Sequence, residues 1–307
     1  MNLQQLRIVR EAVQQNFNLT EVASALFTSQ SGVSKHIKDL EDELGVELFQ
    51  RRGKRLLGLT EPGKEVATVA ERMLQDVRNI KRLAQQFSSA EQGQLTIATT
   101  HTQARYALPQ VVARFKAQFP RVHLVLHQGS PAEIVSLLQS GEADLGIATE
   151  ALGKDDAFVT FPFYEWHHAI VVPEGHPLTQ QALTLEALAE QPLITYHEGY
   201  TGRANIDASF ATAGLAPDIV MSALDADVIK TYVQVGLGVG IIAAIAFEPT
   251  RDSGLRLLNA SHLFPENTTR LALKRGHYLR GYAYRFLQEC VSTLTEEAVR
   301  EAMDPEG

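Results

Sequence analysis

The sequence predicts an α/β protein that opens with an all-α winged helix-turn-helix segment and continues as two α/β lobes. Three observations carry that prediction. Short amphipathic helices and a basic turn fill the first 60 residues, a stretch without Gly or Pro runs from residue 64 to about Ser88, and strand-like and helix-like runs alternate from Gly93 onward. With 307 residues, 45% of them apolar and 21% charged, the chain is long enough for two or three domains with real cores. That composition excludes a disordered, collagenous or disulfide-stapled protein.

The first helix follows from Leu3, Leu6, Val9 and Val13, whose spacing lays one apolar stripe along a helix. Asn18-Leu19-Thr20 interrupts it, and Thr20 is expected to cap a short second helix carrying Val22, Ala23 and Leu26. Thr28-Ser29 supplies the next cap, and a third helix runs from about Gln30 to Leu44, where Gly45 ends it. At about 100° per residue, Val33, Ile37, Leu40 and Leu44 share a narrow stripe, while Ser31, Ser34, Lys35 and Lys38 lie on the other side. One face packs; the other offers hydroxyls and ammoniums. Two short helices joined by a brief turn, the second so polarised, form a helix-turn-helix whose second helix enters a major groove.

Val46 to Phe49 and Leu56 to Thr60 flank Arg51-Arg52-Gly53-Lys54-Arg55, which reads as a hairpin wing. An isolated basic run is ordinarily a solvated turn. Directly after a helix-turn-helix, its four cations Arg51, Arg52, Lys54 and Arg55 are expected to meet the phosphate backbone, giving salt-sensitive affinity without sequence information. Thr60-Glu61-Pro62-Gly63 then starts a helix of about 40 Å. Val66, Met73, Ile80 and Phe87 repeat every seven residues, with Val69 and Leu83 in the d register and Asp76 breaking it. Such a stripe needs a partner helix, so this segment is expected to link and dimerise.

From Leu95 to Ala98, Val122 to Leu126 and Ala143 to Ala148, strands alternate with helices at Leu108 to Phe119 and Pro131 to Ser140, which predicts βαβ units and a largely parallel sheet. The theme repeats with Ala169 to Val172, Leu193 to Tyr196, a helix near Asn205 to Ala213, Ile219 to Ser222, a helix from Ala226 to Val235, and Gly240 to Ala243. Arg270 to Lys274 returns as a strand and Tyr282 to Thr293 as a helix. The expected domains are therefore 1–60 for DNA, 61–91 for the linker and 92–307 for the bilobed part. Its first lobe takes about 92–163 and 268–307, and its second about 164–267.

Charge is divided unevenly. Residues 1–92 carry 13 Lys and Arg against 12 Asp and Glu, whereas the remainder is net −9 within a total of −8. The acidity argues against indiscriminate polyanion binding, while leaving the small basic surface of the first segment. Cys290 is the only cysteine, so no intrachain disulfide forms, and a buried small hydrophobe is the expected role. The polar start Met1-Asn2-Leu3-Gln4-Gln5 lacks the features of a secretory signal, and no apolar run reaches membrane-span length. A cytoplasmic protein without a membrane partner is expected.

These residues resemble the LysR-type transcriptional regulators. The likeness lies in Leu26 to Ser34, Ile37 to Gly45, Leu48 to Arg51, Leu59 to Gly63, Gly141 to Ile147, Gly175 to Leu178 and Val235 to Ile242, and covers nearly the whole chain. Within the family, Thr99 to Tyr106, Tyr164 to His168 and Tyr200 to Arg203 are similar to the CysB-like subfamily, regulators of cysteine biosynthesis and sulfur assimilation. The resemblance implies a periplasmic-binding-protein-like effector domain of two α/β subdomains, with Thr100, Thr102, Gln103, Trp166 and Thr201 contacting a small effector between them. That effector would be sulfate, thiosulfate or O- or N-acetylserine, with no other cofactor and no metal. Double-stranded promoter DNA, RNA polymerase and further copies of the chain, up to a homotetramer, are the implied partners.

The chemistry of those residues agrees. Thr100 and Thr102 follow a strand and precede a helix, so hydroxyls and backbone N–H groups can converge on an anion. Gln103 adds amide donors and Trp166 an indole N–H. Neutral donors hold an oxyanion at about 1.5–3 kcal/mol per charge-assisted bond. Other chemistries fare worse. Gly236-Leu237-Gly238-Val239-Gly240 follows a helix and leads into a strand, the reverse of a dinucleotide turn. His167 and His168 point to opposite faces of a strand and lack further metal spacing. Asp144, Asp225 and Asp227 read as caps and loop residues. No nucleophile motif or P-loop is present, so an enzyme is not expected. A solute-binding protein would share the bilobed fold but not the helix-turn-helix; a LysR-type regulator of another pathway, with another small anion, is the nearer alternative.

Overall fold

The computed structural model describes residues 1–53, 55–88 and 92–303, with 85, 86, 88 and 154 described in backbone alone. Lys54, the 89–91 end of the expected linker and the last four residues lie outside them. The chain divides into two compact units, Met1–Ala84 and Gln85–Gly307.

In the first unit, α1 (Leu3–Gln14) begins with a capping box between Asn2 and Gln5 and buries Leu6, Ile8, Val9 and Ala12. The next helix, α2 (Leu19–Ala25), is capped by Asn18, whose side chain accepts from the Thr20 amide at 3.1 Å. The cap is therefore two residues earlier than the expected Thr20, because the Asn18 carboxamide reaches the free amides of the first turn while Thr20 is already helical. In α3 (Gln30–Leu44), Ser29 accepts from Gly32 at 3.1 Å and Gly45 ends the helix at φ 71°. Val33, Ile37 and Leu40 close over Ile8, Val9, Val22, Leu48, Phe49 and Leu56 in one core.

The wing is β1 (Phe49–Arg52) paired antiparallel with β2 (Arg55–Leu59), Arg52 standing opposite Arg55. Then comes α4 (Glu61–Ser88). Thr60 bridges wing and helix: its hydroxyl donates to the Glu47 carbonyl at 2.6 Å and accepts from the Gly63 amide at 3.0 Å. Gly63 has no substitute here, since a Cβ would lie 2.0 Å from the Leu48 carbonyl oxygen.

The second unit holds two lobes, each on a five-stranded sheet. The first is built from β3 (Gly93–Thr99), α5 (Leu108–Gln118), β4 (Val122–Gln128), α6 (Pro131–Ser140), β5 (Leu145–Ala148) and β6 (Phe158–Trp166). The second contains β7 (His168–Pro173), α7 (Leu185–Ala189), β8 (Leu193–Tyr196), α8 (Arg203–Thr212), β9 (Ile219–Ala223), α9 (Ala226–Gln234), β10 (Val239–Ala243) and β11 (Leu255–Asn259). The chain then returns to the first lobe with β12 (Asn267–Lys274), α10 (Gly281–Cys290) and α11 (Glu296–Met303).

Sheet orders are β4-β3-β5-β12-β6 and β11-β7-β10-β8-β9. In each, four of the five strands run in one direction, while β12 in the first sheet and β7 in the second lie antiparallel to both of their neighbours. Each sheet is thus largely parallel in strand direction, as the alternating elements predict, with one strand reversed. The cause is the two passages between lobes: a chain that leaves one sheet through β6 and re-enters through β12 lays those strands side by side in opposite directions.

Cys290 packs at the edge of the first lobe's core, where burial pushes its thiol pKa up, as an inert apolar residue would be placed. His168 is wholly buried. The Gly236 to Gly240 segment makes a tight turn, with Gly236 at φ 82° and a Cβ at Gly238 only 2.3 Å from the Pro192 carbonyl oxygen.

Candidate functional site

The first unit presents the polarised face of α3. Val33, Ile37 and Leu40 are buried, whereas Ser31, Lys35 and Lys38 are exposed and Ser34 is half-buried. The Ser31 and Ser29 hydroxyls lie 3.1 Å apart at the start of the helix. Arg52 and Arg55 are exposed across the wing.

Arg51 is arranged differently. Its guanidinium donates to Glu41 at 2.5 Å, and the other Glu41 oxygen accepts from the amides of Leu48 and Phe49 at 2.8 and 3.1 Å. Arg51 thereby fastens the wing to the end of α3. Sequence reasoning missed Glu41, whose position in a charged run hides its burial. It also missed Phe27, which is 98% exposed at φ 51° in the turn between α2 and α3. An apolar side chain held in water at the turn of a helix-turn-helix is the signal that could have found it.

In the second unit, Thr100, Thr102 and Gln103 directly follow β3 and are all buried. The Thr100 carbonyl accepts the Ala104 amide at 3.1 Å, which starts the turn of Gln103–Ala107 leading into α5. Gln103 and Trp166 meet at one atom: Gln103 Nε2 and Trp166 Nε1 both donate to Thr269 Oγ1, at 3.3 and 3.1 Å. Tyr164 donates to Gln103 Oε1 at 2.6 Å, and Thr149 lies 3.4 Å from the same Thr269 hydroxyl. The Tyr196 hydroxyl of the second lobe accepts from the Ala243 amide at 2.9 Å.

Thr201, also buried, lies at the opening of α8 and is linked to Trp166 through the His168 ring, whose centroid is 5.0 Å from that of Trp166. It adopts φ 44° and Gly202 φ 69°, and a Cβ on Gly202 would lie 2.4 Å from Asn267 Oδ1. His168 Nε2 donates to the Thr201 carbonyl at 3.0 Å, while Asn267 Nδ2 lies 3.5 Å from Nδ1. Burial holds the His168 pKa down at about 4, so the ring is neutral with its proton on Nε2. Across the lobes, the Glu150 carboxylate accepts from the Gly202 amide.

A second cross-lobe cluster surrounds Asp227. From the first lobe, Tyr106 donates to it at 2.6 Å and Arg105 at 2.8 Å, and His101 Nε2 lies at 3.1 Å. Lys230 bridges Tyr106 at 3.0 Å and Asp252 at 2.9 Å. Burial raises the Asp227 pKa, but hydrogen bonds from Tyr106 and His101 and the charges of Lys230 and Arg105 outweigh it and hold it at about 2. Asp225 caps α9 through the Val228 amide at 2.9 Å, as expected, whereas Asp227 proves to be a cross-lobe acceptor. His101, Asp225 and Asp227 could in principle surround a cation. The Arg105 guanidinium on Asp227 opposes one, so the group is an ion-pair network.

A helix-turn-helix with a basic wing, followed in the chain by a bilobed module that buries polar donors between its lobes, defines a ligand-responsive DNA-binding regulator. The sequence matches the bacterial regulatory helix-turn-helix protein, lysR family, over residues 3–64 and the LysR substrate binding domain over residues 88–295. The chain belongs to the LysR family of transcriptional regulators. It is 58% identical to the HTH-type transcriptional regulator SsuR of Burkholderia cenocepacia over 97% of both chains. It is 56% identical to the regulator cbl of Escherichia coli, over 98% of this chain and 95% of that one. CysB of Burkholderia cenocepacia is 54% identical, over 100% and 98%. Among solved structures, the cofactor-binding domain of the Cbl transcriptional regulator superposes with a TM-score of 0.68 at 52% identity, covering 70% of this chain and 94% of that one. Among the described residues, no helix is long and apolar enough to cross a membrane.

Proposed function

We propose that this LysR-family protein regulates genes of sulfur assimilation and cysteine biosynthesis in the cytoplasm, in response to a small effector bound between its lobes. The observation that carries the reading is the shared Thr269 hydroxyl, which gathers the Gln103 amide and the Trp166 indole inside the bilobed domain. An oxyanion of sulfate, thiosulfate or acetylserine takes the place of that hydroxyl as acceptor, with Thr100, Thr102 and Thr201 adding hydroxyls. The sulfur assignment rests on the resemblance to the CysB-like subfamily and on the similarity to SsuR, cbl and CysB.

On the DNA side, α3 enters the major groove of promoter DNA with Ser31, Ser34, Lys35 and Lys38. Arg52, Lys54 and Arg55 follow phosphates, and Arg51 contributes its donors not turned to Glu41. Residues 1–60 read DNA, 61–91 link and dimerise, and 92–307 bind the effector. Self-association is supported by α4, where Val69, Met73, Leu83 and Ile80, the last 65% exposed, leave an apolar stripe uncovered. A homotetramer on a long two-fold site, acting through RNA polymerase, completes the reading. The effector shifts activity only through its different affinity for two assembly states.

A footprint on the promoters of sulfur-assimilation genes, with and without effector, tests target and ligand together. Protection whose extent changes with sulfate, thiosulfate or acetylserine is expected. Absence of protection at every salt concentration overturns the regulatory target. If thermal unfolding shows no shift with millimolar effector, a LysR regulator of another pathway remains. Trp166→Ala and Thr102→Ala are each expected to diminish a shift that the wild type displays.

A further inference from the structure

Glu150 follows β5 and lies next to Thr149, whose hydroxyl approaches the Thr269 hub. One of its carboxylate oxygens accepts the Gly202 amide of the opposite lobe. The other, Oε2, is buried and has no hydrogen-bond partner. Among the described residues Glu150 makes no ion pair, and His168, the ring beside Gly202, is neutral and turned to the Thr201 carbonyl. A carboxylate oxygen shut away from water leaves a buried acceptor unused at the contact between the lobes.

Resting on the effector reading above, we infer that Glu150 selects the effector: its free oxygen receives an N–H or ammonium donor carried beside the ligand's anionic group. The binding site is then two-signed. Gln103, Trp166 and the threonines supply donors for the anion, and Glu150 supplies the one acceptor that a bare oxyanion cannot use. Sulfate and thiosulfate, which carry no donor at neutral pH, place a second negative charge against Glu150. A zwitterionic, amino-acid-derived molecule satisfies both ends. Burial pushes the Glu150 pKa up, against the lowering effect of the Gly202 and Thr201 amides, which is the response of a carboxylate lacking a cation.

Calorimetric titration of the full chain near pH 6.5, where an α-amine is protonated, tests the inference with two probes, sulfate and O-acetyl-L-serine. In the Glu150→Gln variant, which keeps the shape and removes the charge, sulfate is expected to bind about tenfold tighter and O-acetyl-L-serine about tenfold weaker. Opposite signs are decisive, because a merely structural residue moves both probes the same way. A wild-type measurement guards against a variant that does not fold. The desamino analogue 3-acetoxypropionate is expected to bind at least about tenfold more weakly than O-acetyl-L-serine. Equal affinity for that pair, or parallel changes of the two probes in Glu150→Gln, overturns the selecting role and leaves the effector reading intact. No binding of either probe to the wild type overturns both.

Discussion

The hydroxyl of Tyr106 donates to the Asp227 carboxylate at 2.6 Å, joining the turn after β3 to the first turn of α9 in the other lobe. It is the shortest link in a cluster that also holds His101, Arg105 and Lys230. The two lobes are therefore joined by charge as well as by the Glu150–Gly202 hydrogen bond.

Tyr106→Phe is expected to cost the bilobed domain about 1.5–3 kcal/mol, the range for a hydrogen bond to a charged group. Trp166 is the only tryptophan, so its fluorescence during urea unfolding reports this domain without the first unit. An unchanged midpoint would show that the link adds nothing.

Acid should weaken the same cluster late. Because the Asp227 pKa is held at about 2, below its unfolded value near 4, its contribution is complete above about pH 4. It fades as pH falls toward about 2. Asp227→Asn is expected to flatten that part of the urea stability profile.

His168 acts at milder acidity. Its folded pKa of about 4 lies below the usual value near 6.5, so the unfolded chain binds more protons between them. Stability is complete above about pH 6.5 and drops by about 3 kcal/mol as pH falls through 4. In His168→Gln, whose amide can still donate to the Thr201 carbonyl, the slope over that range should disappear when stability is measured by urea midpoints.

On the DNA side, cations that meet phosphates and cations that hold the fold separate by salt. Alanine at Lys35, Lys38, Arg52 or Arg55 should each reduce the slope of log affinity against log salt by about 0.9. Arg51→Ala should, beside any loss of slope, lower stability by about 1–3 kcal/mol, because one oxygen of the buried Glu41 loses its partner. Fluorescence anisotropy on promoter DNA and circular dichroism melting distinguish the two outcomes. Unchanged melting in Arg51→Ala would show that the bond to Glu41 adds nothing to stability.

An Ile80→Glu and Leu83→Glu double variant should dissociate the chain while leaving its helix content unchanged, since both side chains are exposed on α4. Sedimentation velocity measures this. Retention of the wild-type assembly would move the interface elsewhere.

Amino-acid order alone determined what depends on neighbours a few positions away. The buried stripe of α3, its Ser29 cap and Gly45 stop, the long α4 and the alternating elements of the lobes all follow from local periodicity and capping. The residue types at Thr100, Thr102, Gln103 and Trp166 were legible as buried polar groups able to donate, with family resemblance supplying their grouping.

Only the tertiary structure decided which groups meet. Gln103 and Thr269 are 166 residues apart, Trp166 and Thr269 103, and Tyr106 and Asp227 121, and no short-range pattern encodes such pairs. They form because the chain passes twice between lobes, which also turns the returning strands antiparallel and carries Glu150 to the Gly202 amide. Local spacing sets the direction of a side chain from its own helix or strand. The partner that side chain finds is set by how distant elements pack, and there the Thr269 hub, the Asp227 cluster and the unpaired oxygen of Glu150 arise.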